Sequence, residues 1–254
     1  MNGSGPTIKE DLAVRAGHEL VARRILEKTG CKWKMDSTFP RLMPNFSHGT
    51  AGVAHFLVDL YRATGEKVFL ETALQGAAYL RSVMTEEALI FHHEPGGEDL
   101  LYLGWCHGPA GTARLFYRLW QVTGDESWME MIHQAARAII RTGIPEERTP
   151  GFWNNVSQCC GDAGVAEFFD VLYRKTDRSE YREFAHHLAD DVLGRADETA
   201  GGLWWIQAEN RVSLEQLVAQ SGYMQGAAGI GSLLLHLGAG RDADVRLALP
   251  DSPW

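Results

Sequence analysis

The sequence predicts an all-α fold in which helical hairpins repeat along the chain as a solenoid that closes on itself. Three observations carry this. A Gly-x-x-Gly phrase occurs four times, beginning at Gly49, Gly108, Gly161 and Gly226, so successive copies stand 59, 53 and 65 residues apart. Apolar residues follow each phrase at helical spacing, as in Val53-Ala-His-Phe-Leu-Val-Asp-Leu-Tyr-Arg62 and Val165-Ala-Glu-Phe-Phe-Asp-Val-Leu-Tyr-Arg174, a period that marks an amphipathic helix. A turn then falls sixteen residues after the first glycine: Gly65-Glu66, Gly124-Asp125 and, less cleanly, Asp177-Arg178. Repeats this long, with helices inside them, read as stacked hairpins.

Taken in order, Ile8 to Thr29 reads as one amphipathic helix, like the second half of a hairpin whose first half is missing. Each Gly-x-x-Gly then opens a helix, its small residues allowing close approach of a neighbouring backbone. Second helices follow over Val68 to Met84, Ser127 to Thr142 and Ser179 to Arg195. Irregular aromatic segments, Gly151-Phe-Trp153 and Gly201-Gly-Leu-Trp-Trp205, lead to the next phrase. Trp105, Trp153, Trp204 and Trp205 sit in such positions and read as packing residues, a role suited to their large apolar area. Strands are sparse. Closure of the solenoid would put every Gly-x-x-Gly end on one face. Residues 1–254 are expected to form a single domain.

Composition narrows the function. With 45% hydrophobic and 22% charged residues the chain reads as a soluble globular protein. A net charge of −9 without a Lys/Arg stripe argues against nucleic-acid binding. No apolar run approaches the roughly 20 residues that span a bilayer. Met1-Asn-Gly-Ser-Gly-Pro-Thr7 has neither a charged nor an apolar leader region, so a cytoplasmic location is expected. Four cysteines, two of them adjacent, make no disulfide framework.

Three of those cysteines fall just before a Gly-x-x-Gly. The two residues ahead of each first glycine are Ser47-His48, Cys106-His107, Cys159-Cys160 and Met224-Gln225. If adjacent loops meet, three sulfurs converge, which suits a tetrahedral zinc with one position left for water or substrate. The alternative is a set of small buried hydrophobes, with a vicinal disulfide as a further option for the adjacent pair. Cys31, outside the phrases, is assigned to packing. His186-His187, within a second helix, reads as solvated or packed, whereas His92-His93 precedes Glu94-Pro-Gly-Gly-Glu98 and is a candidate for the cavity rim.

The motifs Ser47-His-Gly-Thr-Ala-Gly52, Trp105-Cys-His-Gly-Pro-Ala-Gly111, Cys159-Cys-Gly-Asp-Ala-Gly164 and Gln225-Gly-Ala-Ala-Gly229 resemble the lanthionine synthetase C-like (LanC-like) family. The resemblance covers roughly residues 45 to 254 and is similar to a subgroup of bifunctional synthetases with an all-cysteine site. It implies an α/α toroid with zinc (Zn²⁺) held by Cys106, Cys159 and Cys160, with His107 as the other candidate for the third position. It implies thioether formation, in which a peptide cysteine thiol adds to dehydroalanine or dehydrobutyrine, or, as the eukaryotic members of the family suggest, glutathione-type thiol addition to the same dehydroamino acids. His48 matches the family's Ser-His-Gly histidine and is the implied acid or enolate stabiliser, with His107 in reserve. The implied partners are a dehydrated precursor peptide or a small thiol, and a dehydratase.

Two departures accompany the resemblance. The stand-alone cyclases carry an arginine shortly before the Trp-Cys, where this chain has Asp99-Leu-Leu-Tyr102. The family ring has seven hairpins, and this chain shows four phrases plus a half hairpin. Its ending, Leu247-Ala-Leu-Pro-Asp-Ser-Pro253, resembles the family's C-terminus, so the missing portion is expected to be N-terminal. A zinc-holding arc that binds peptide without turnover is therefore a competing expectation. A toroidal glycosidase, which would need paired carboxylates, ranks last, because the motif loops offer chiefly Asp162.

Overall fold

The computed structural model describes residues 8–239 and 252–254. Residues 1–7, read above for a leader region, and residues 247–251 of the family-like ending lie outside the described residues. The helices are α1 (Ile8–Arg23), α2 (Thr50–Thr64), α3 (Lys67–Ser82), α4 (Pro109–Thr123), α5 (Ser127–Arg141), α6 (Asp162–Thr176), α7 (Ser179–Gly194) and α8 (Ala227–Gly238). Three two-stranded antiparallel pairs complete the order: β1 (Ile25–Leu26) with β2 (Cys31–Lys32), β3 (Asp197–Thr199) with β4 (Gly202–Trp204), and β5 (Gln207–Ala208) with β6 (Leu217–Val218).

The helix expected over Ile8 to Thr29 ends early, at Arg23. Gly30 turns left-handed at φ 84°, and the chain reverses so that Leu26 pairs with Cys31. The reversal lays β2 against α3 and buries Cys31 and Trp33 completely or nearly so. Burial of that apolar pair outweighs one more turn of helix, and Trp33 Nε1 still donates to Leu20 O at 2.8 Å. Cys31 does pack: its thiol donates to Thr72 O, and burial pushes its pKa up to about 11.

Each expected hairpin forms: α2 packs on α3, α4 on α5 and α6 on α7. Gly65 and Gly124 close α2 and α4 in the left-handed region (φ 75° and 69°), and Asp177 does the same for α6 without glycine (φ 59°). The first helices also pack serially, α2 on α4, α4 on α6 and α6 on α8. They therefore form an inner layer. Every residue from Asp162 to Leu172 in α6 is buried, which explains why its sequence is apolar beyond a single stripe. One aromatic expectation fails. Trp204 is exposed because it lies on the solvent side of β4, where its Nε1 clips Thr199 Oγ1 at 2.8 Å, while Trp205 turns inward and donates to Val192 O at 2.7 Å.

The inner helices share one way of starting. Their N-cap glycines lack a side-chain cap. Instead, the loop before α2, α6 and α8 folds back and offers carbonyls to the first helical N–H groups: Thr50 N to Met43 O at 3.1 Å, Asp162 N to Asn155 O at 3.3 Å, Ala227 N to Gln220 O at 3.0 Å; α4 opens on Pro109, which has no N–H to satisfy. This satisfies donors that a helix start leaves unpaired. The cost is crowding. A Cβ on Gly52, Gly111, Gly164 or Gly229 would overlap the backbone carbonyl oxygen of the residue six positions earlier.

Gly164→Ala should therefore destabilise the protein by about 2 kcal/mol or more, as overpacking against backbone does. Gly231→Ala, where an added Cβ meets nothing within 4 Å, should instead stabilise α8 by roughly 0.5–1 kcal/mol. Urea unfolding midpoints check the opposite signs.

Candidate metal centre

The shared loop geometry places equivalent residues side by side. Ser47 N donates to Cys106 O at 2.8 Å, Cys106 N to Cys159 O at 3.1 Å and Cys159 N to Met224 O at 2.8 Å. One backbone hydrogen bond thus links each loop to the next at a single register position. Side-chain ties reinforce the row: Thr112 Oγ1 donates to Asn45 Oδ1 at 3.0 Å, and Gln158 Nε2 to Gly229 O at 2.9 Å. The residues just before the four first glycines, His48, His107, Cys160 and Gln225, follow the same register.

The register brings Cys106, Cys159 and Cys160 together, with all three sulfurs within 4.8 Å of one another and Cys106 Sγ 3.4 Å from Cys160 Sγ. The thiols are free, Cys106 buried and the other two half-buried. Sulfurs at ~2.3 Å from a tetrahedral zinc stand about 3.8 Å apart, so a small contraction or expansion of this triangle accommodates the ion. A donor set of three sulfurs suits zinc and other thiophilic metals over calcium or magnesium. Cys106 and Cys160 hydrogen-bond to Cys159, whose pKa is pushed down to about 4, with His48 adding a favourable charge. The cost appears on the partners: hydrogen bonding to Cys159 and burial raise the Cys106 thiol, and Cys160 is raised too.

Nitrogen and oxygen groups surround the sulfurs. The His107 ring lies 5.4 Å from that of His48 and 4.4 Å from that of His92, measured between centroids. His48 is exposed at the mouth, while His107 and His92 are buried. His107 Nδ1 has no hydrogen-bond partner, and Gln225 hydrogen-bonds Cys160. Tyr102 stacks between His92 (4.2 Å) and Trp153 (5.3 Å). Below this layer Trp153 Nε1 donates to Ala208 O at 2.8 Å, and Gln207 bridges the third and fourth loops through Val156 N and Gln225 O.

Of the sequence candidates, the structure gathers Cys106, Cys159, Cys160, His48 and His107 at one place. His107 Nδ1 is not among the atoms that close on the sulfurs. The pair His92-His93 was expected at a rim; both are buried instead, because β-bridges from Leu42 to Glu94 and His93 to Gly97 fold this loop inward. His92 forms wall and His93 stands behind it, with Nδ1 to Nδ1 at 2.6 Å. His187 is solvated, paired with Glu146 at 2.9 Å. Asp162 is fully buried with Arg148 and Arg195 rather than facing the sulfurs. Tyr102 and Arg211 escaped the sequence reading: neither belongs to a repeat, and only the fold brings the Arg211 charge near Tyr102.

A family model described as "Lanthionine synthetase C-like protein" matches residues 8–249, a longer stretch than the motifs alone covered. Among solved structures, the Lin0763 protein from Listeria innocua superimposes with a TM-score of 0.60 at 15% identity, over 93% of this chain and 66% of its own. A nisin cyclase gives 0.61 at 12% identity, over 90% and 57%. An unsaturated glucuronyl hydrolase specific for heparin gives 0.61 at 10% identity, over 96% and 72%. The chain thus spans 66% and 57% of the lengths of the first two. Identities this low speak for the fold, an α/α toroid type.

Burial, together with His93 and the Arg211 and Arg41 guanidiniums, pushes the His92 pKa down to about 4. A depressed imidazole contributes stability that is present above its unfolded pKa and is lost as pH falls from about 6.5 towards 4. Between pH 7 and 5 the wild type should lose on the order of 1 kcal/mol more than His92→Asn, read from denaturant midpoints at the two pH values.

Proposed function

Because the chain belongs to the lanthionine synthetase C-like family, we propose that it forms thioethers, adding a cysteine thiol of a dehydrated peptide to a dehydroalanine or dehydrobutyrine. One observation carries the reading: Cys106, Cys159 and Cys160, drawn from two separate loops, close to within 4.8 Å. Zinc held by these sulfurs would acidify a substrate thiol, which otherwise has a pKa near 8.5 and is mostly protonated at neutral pH.

The chain's own residues supply the rest. The row of inter-loop backbone bonds holds the three sulfurs without any contribution from substrate. Trp153 and Tyr102 wall the site and keep water from the reacting alkene. In the addition the C–S bond forms as the alkene π bond breaks, and the electron pair moves to the acyl oxygen. The α-carbon then takes a proton. His48, exposed and next to His107, is our candidate to give that proton, and imidazole is suited to the task near neutral pH. His107 is the lesser candidate, since burial pushes its pKa down to about 3. It serves as a neutral polar wall.

A second reading takes the same three-sulfur site as a binding element without turnover. On that reading the arc holds zinc and presents peptide, and a partner enzyme performs the chemistry.

Purified protein should contain about one zinc per chain by metal analysis, and Cys159→Ala should lose it; unchanged zinc would remove the site. With a dehydrated peptide carrying a free cysteine, thiol should disappear faster than in buffer. Zinc-loaded protein giving only the background rate would favour the second reading. His48→Ala should slow turnover about 10²-fold or more while keeping zinc. Loss of zinc would make His48 structural instead.

A further inference from the structure

The three sulfurs differ in reach and in spacing. Cys106 is buried, whereas Cys159 and Cys160 are half-buried and open to small solutes. Cys106 Sγ stands 3.4 Å from Cys160 Sγ, although the two residues lie 54 positions apart in the chain. Main chain pins their loops together: Cys106 N donates to Cys159 O at 3.1 Å, and a Cβ on Gly104 would meet Cys160 Cα at 2.9 Å. No ion is needed to hold that approach.

A disulfide wants its sulfurs about 2.05 Å apart and its Cα atoms roughly 4.4–6.8 Å apart. From 3.4 Å little distance remains to close, and a turn of one cysteine side chain between staggered positions moves its sulfur farther than that. The adjacent pair is in the opposite position. Consecutive Cα atoms across a trans peptide stand about 3.8 Å apart, short of the disulfide range, and the Cys159–Cys160 peptide is trans. It is also held on both sides: Cys159 N donates to Met224 O at 2.8 Å, and Cys160 N donates to Ser157 Oγ at 3.4 Å. The fourth thiol, Cys31, is fully buried elsewhere and donates to Thr72 O.

We propose that Cys106 and Cys160 are a redox pair, which a hydroperoxide oxidises to a disulfide that takes the place of a metal at this site. With hydrogen peroxide the step balances. The Cys160 sulfur breaks the O–O bond and keeps one oxygen as a sulfenic acid, while the other leaves as water. The Cys106 sulfur then displaces that hydroxyl, the S–S bond forms and a second water leaves. The two thiols lose two electrons and the peroxide gains them. A resolving sulfur this close captures the sulfenic acid before more peroxide can carry it to sulfinic acid. Where Cys159 reacts first, exchange within the triangle passes the link to the closer pair. Disulfide and zinc exclude one another, because the metal binds thiolates and the oxidised site keeps only one, on Cys159. The cross-link needs the thiol geometry alone and does not rest on the thioether-forming reading; if that reading holds, oxidation switches the reaction off.

The test uses the full chain, reduced, stripped with a chelator and given a few equivalents of hydrogen peroxide. Free thiols should fall by about two from the four in the chain, and a dithiol should restore them. Mass spectrometry of a non-reduced digest should join the peptides that hold Cys106 and Cys160. Cys159→Ala should still form the link, although it is expected to lose zinc, while Cys106→Ala and Cys160→Ala should lack it. The wild-type digest decides the point even where a variant misfolds. A Cys159–Cys160 or Cys106–Cys159 link as the main product, sulfinic acid without a link, or unchanged thiols would overturn the proposal. In zinc-loaded chain, the same peroxide should release one zinc to a chromogenic chelator for each link formed, and cross-linked chain that keeps its zinc would overturn the exclusion. A chain that takes up no zinc yet forms the link would leave the redox pair standing and sink the metal reading.

Discussion

The structure depends on the close approach of backbone to backbone at the start of the inner helices. In three copies of the repeat the loop folds back over the helix N-terminus and caps it with main-chain carbonyls, and in all four only glycine at the fourth position of the phrase leaves room for the loop's carbonyl. Capping by backbone frees the side chains that would otherwise do it. Ser, Asp and Asn are the usual side-chain caps, yet here the position just before the N-cap holds His48, His107, Cys160 and Gln225. The residues best placed to face the centre are thus the ones relieved of structural duty.

The second loop and the third are packed backbone to backbone. A Cβ on Gly104 would stand 2.9 Å from the backbone of both Cys159 and Cys160, so the sulfur triangle is set by main-chain packing before any ion is considered. The third loop is also fixed from behind. Asp162, the first residue of α6, is fully buried and bridges Arg148 and Arg195, with Asp191 completing the cluster. Burial raises the Asp162 pKa to about 6, although two guanidiniums oppose the rise. Removing the carboxylate would leave buried positive charge without a partner, and breaking such a set is generally costly. The consequence would be felt two residues away, at Cys160.

Much of this was legible in the sequence because it repeats. The four glycine pairs, the turns at Gly65 and Gly124 and the helix periods all state one unit several times, and three cysteines in register with that unit are hard to read as accident. What lay outside the unit was not legible. The reversal at Gly30 breaks a helical pattern whose residues suit a helix well enough; the gain from burying Cys31 and Trp33 is tertiary. His92 sits before a glycine-rich turn that reads as exposed loop, and two β-bridges carry it inside. Arg211 lies in a polar stretch with no period at all, and only the fold brings its charge near Tyr102.

A fold of this kind separates scaffold from chemistry more cleanly than most. Glycine, carbonyl and apolar-face positions are constrained by packing in every copy, so they can vary little. The two positions ahead of each N-cap are constrained only to face the common centre, and they differ in all four copies: serine and histidine, cysteine and histidine, two cysteines, methionine and glutamine. The same helical architecture superimposes on a heparin-specific glucuronyl hydrolase at 10% identity, so the fold by itself assigns no chemistry and the site must carry that argument.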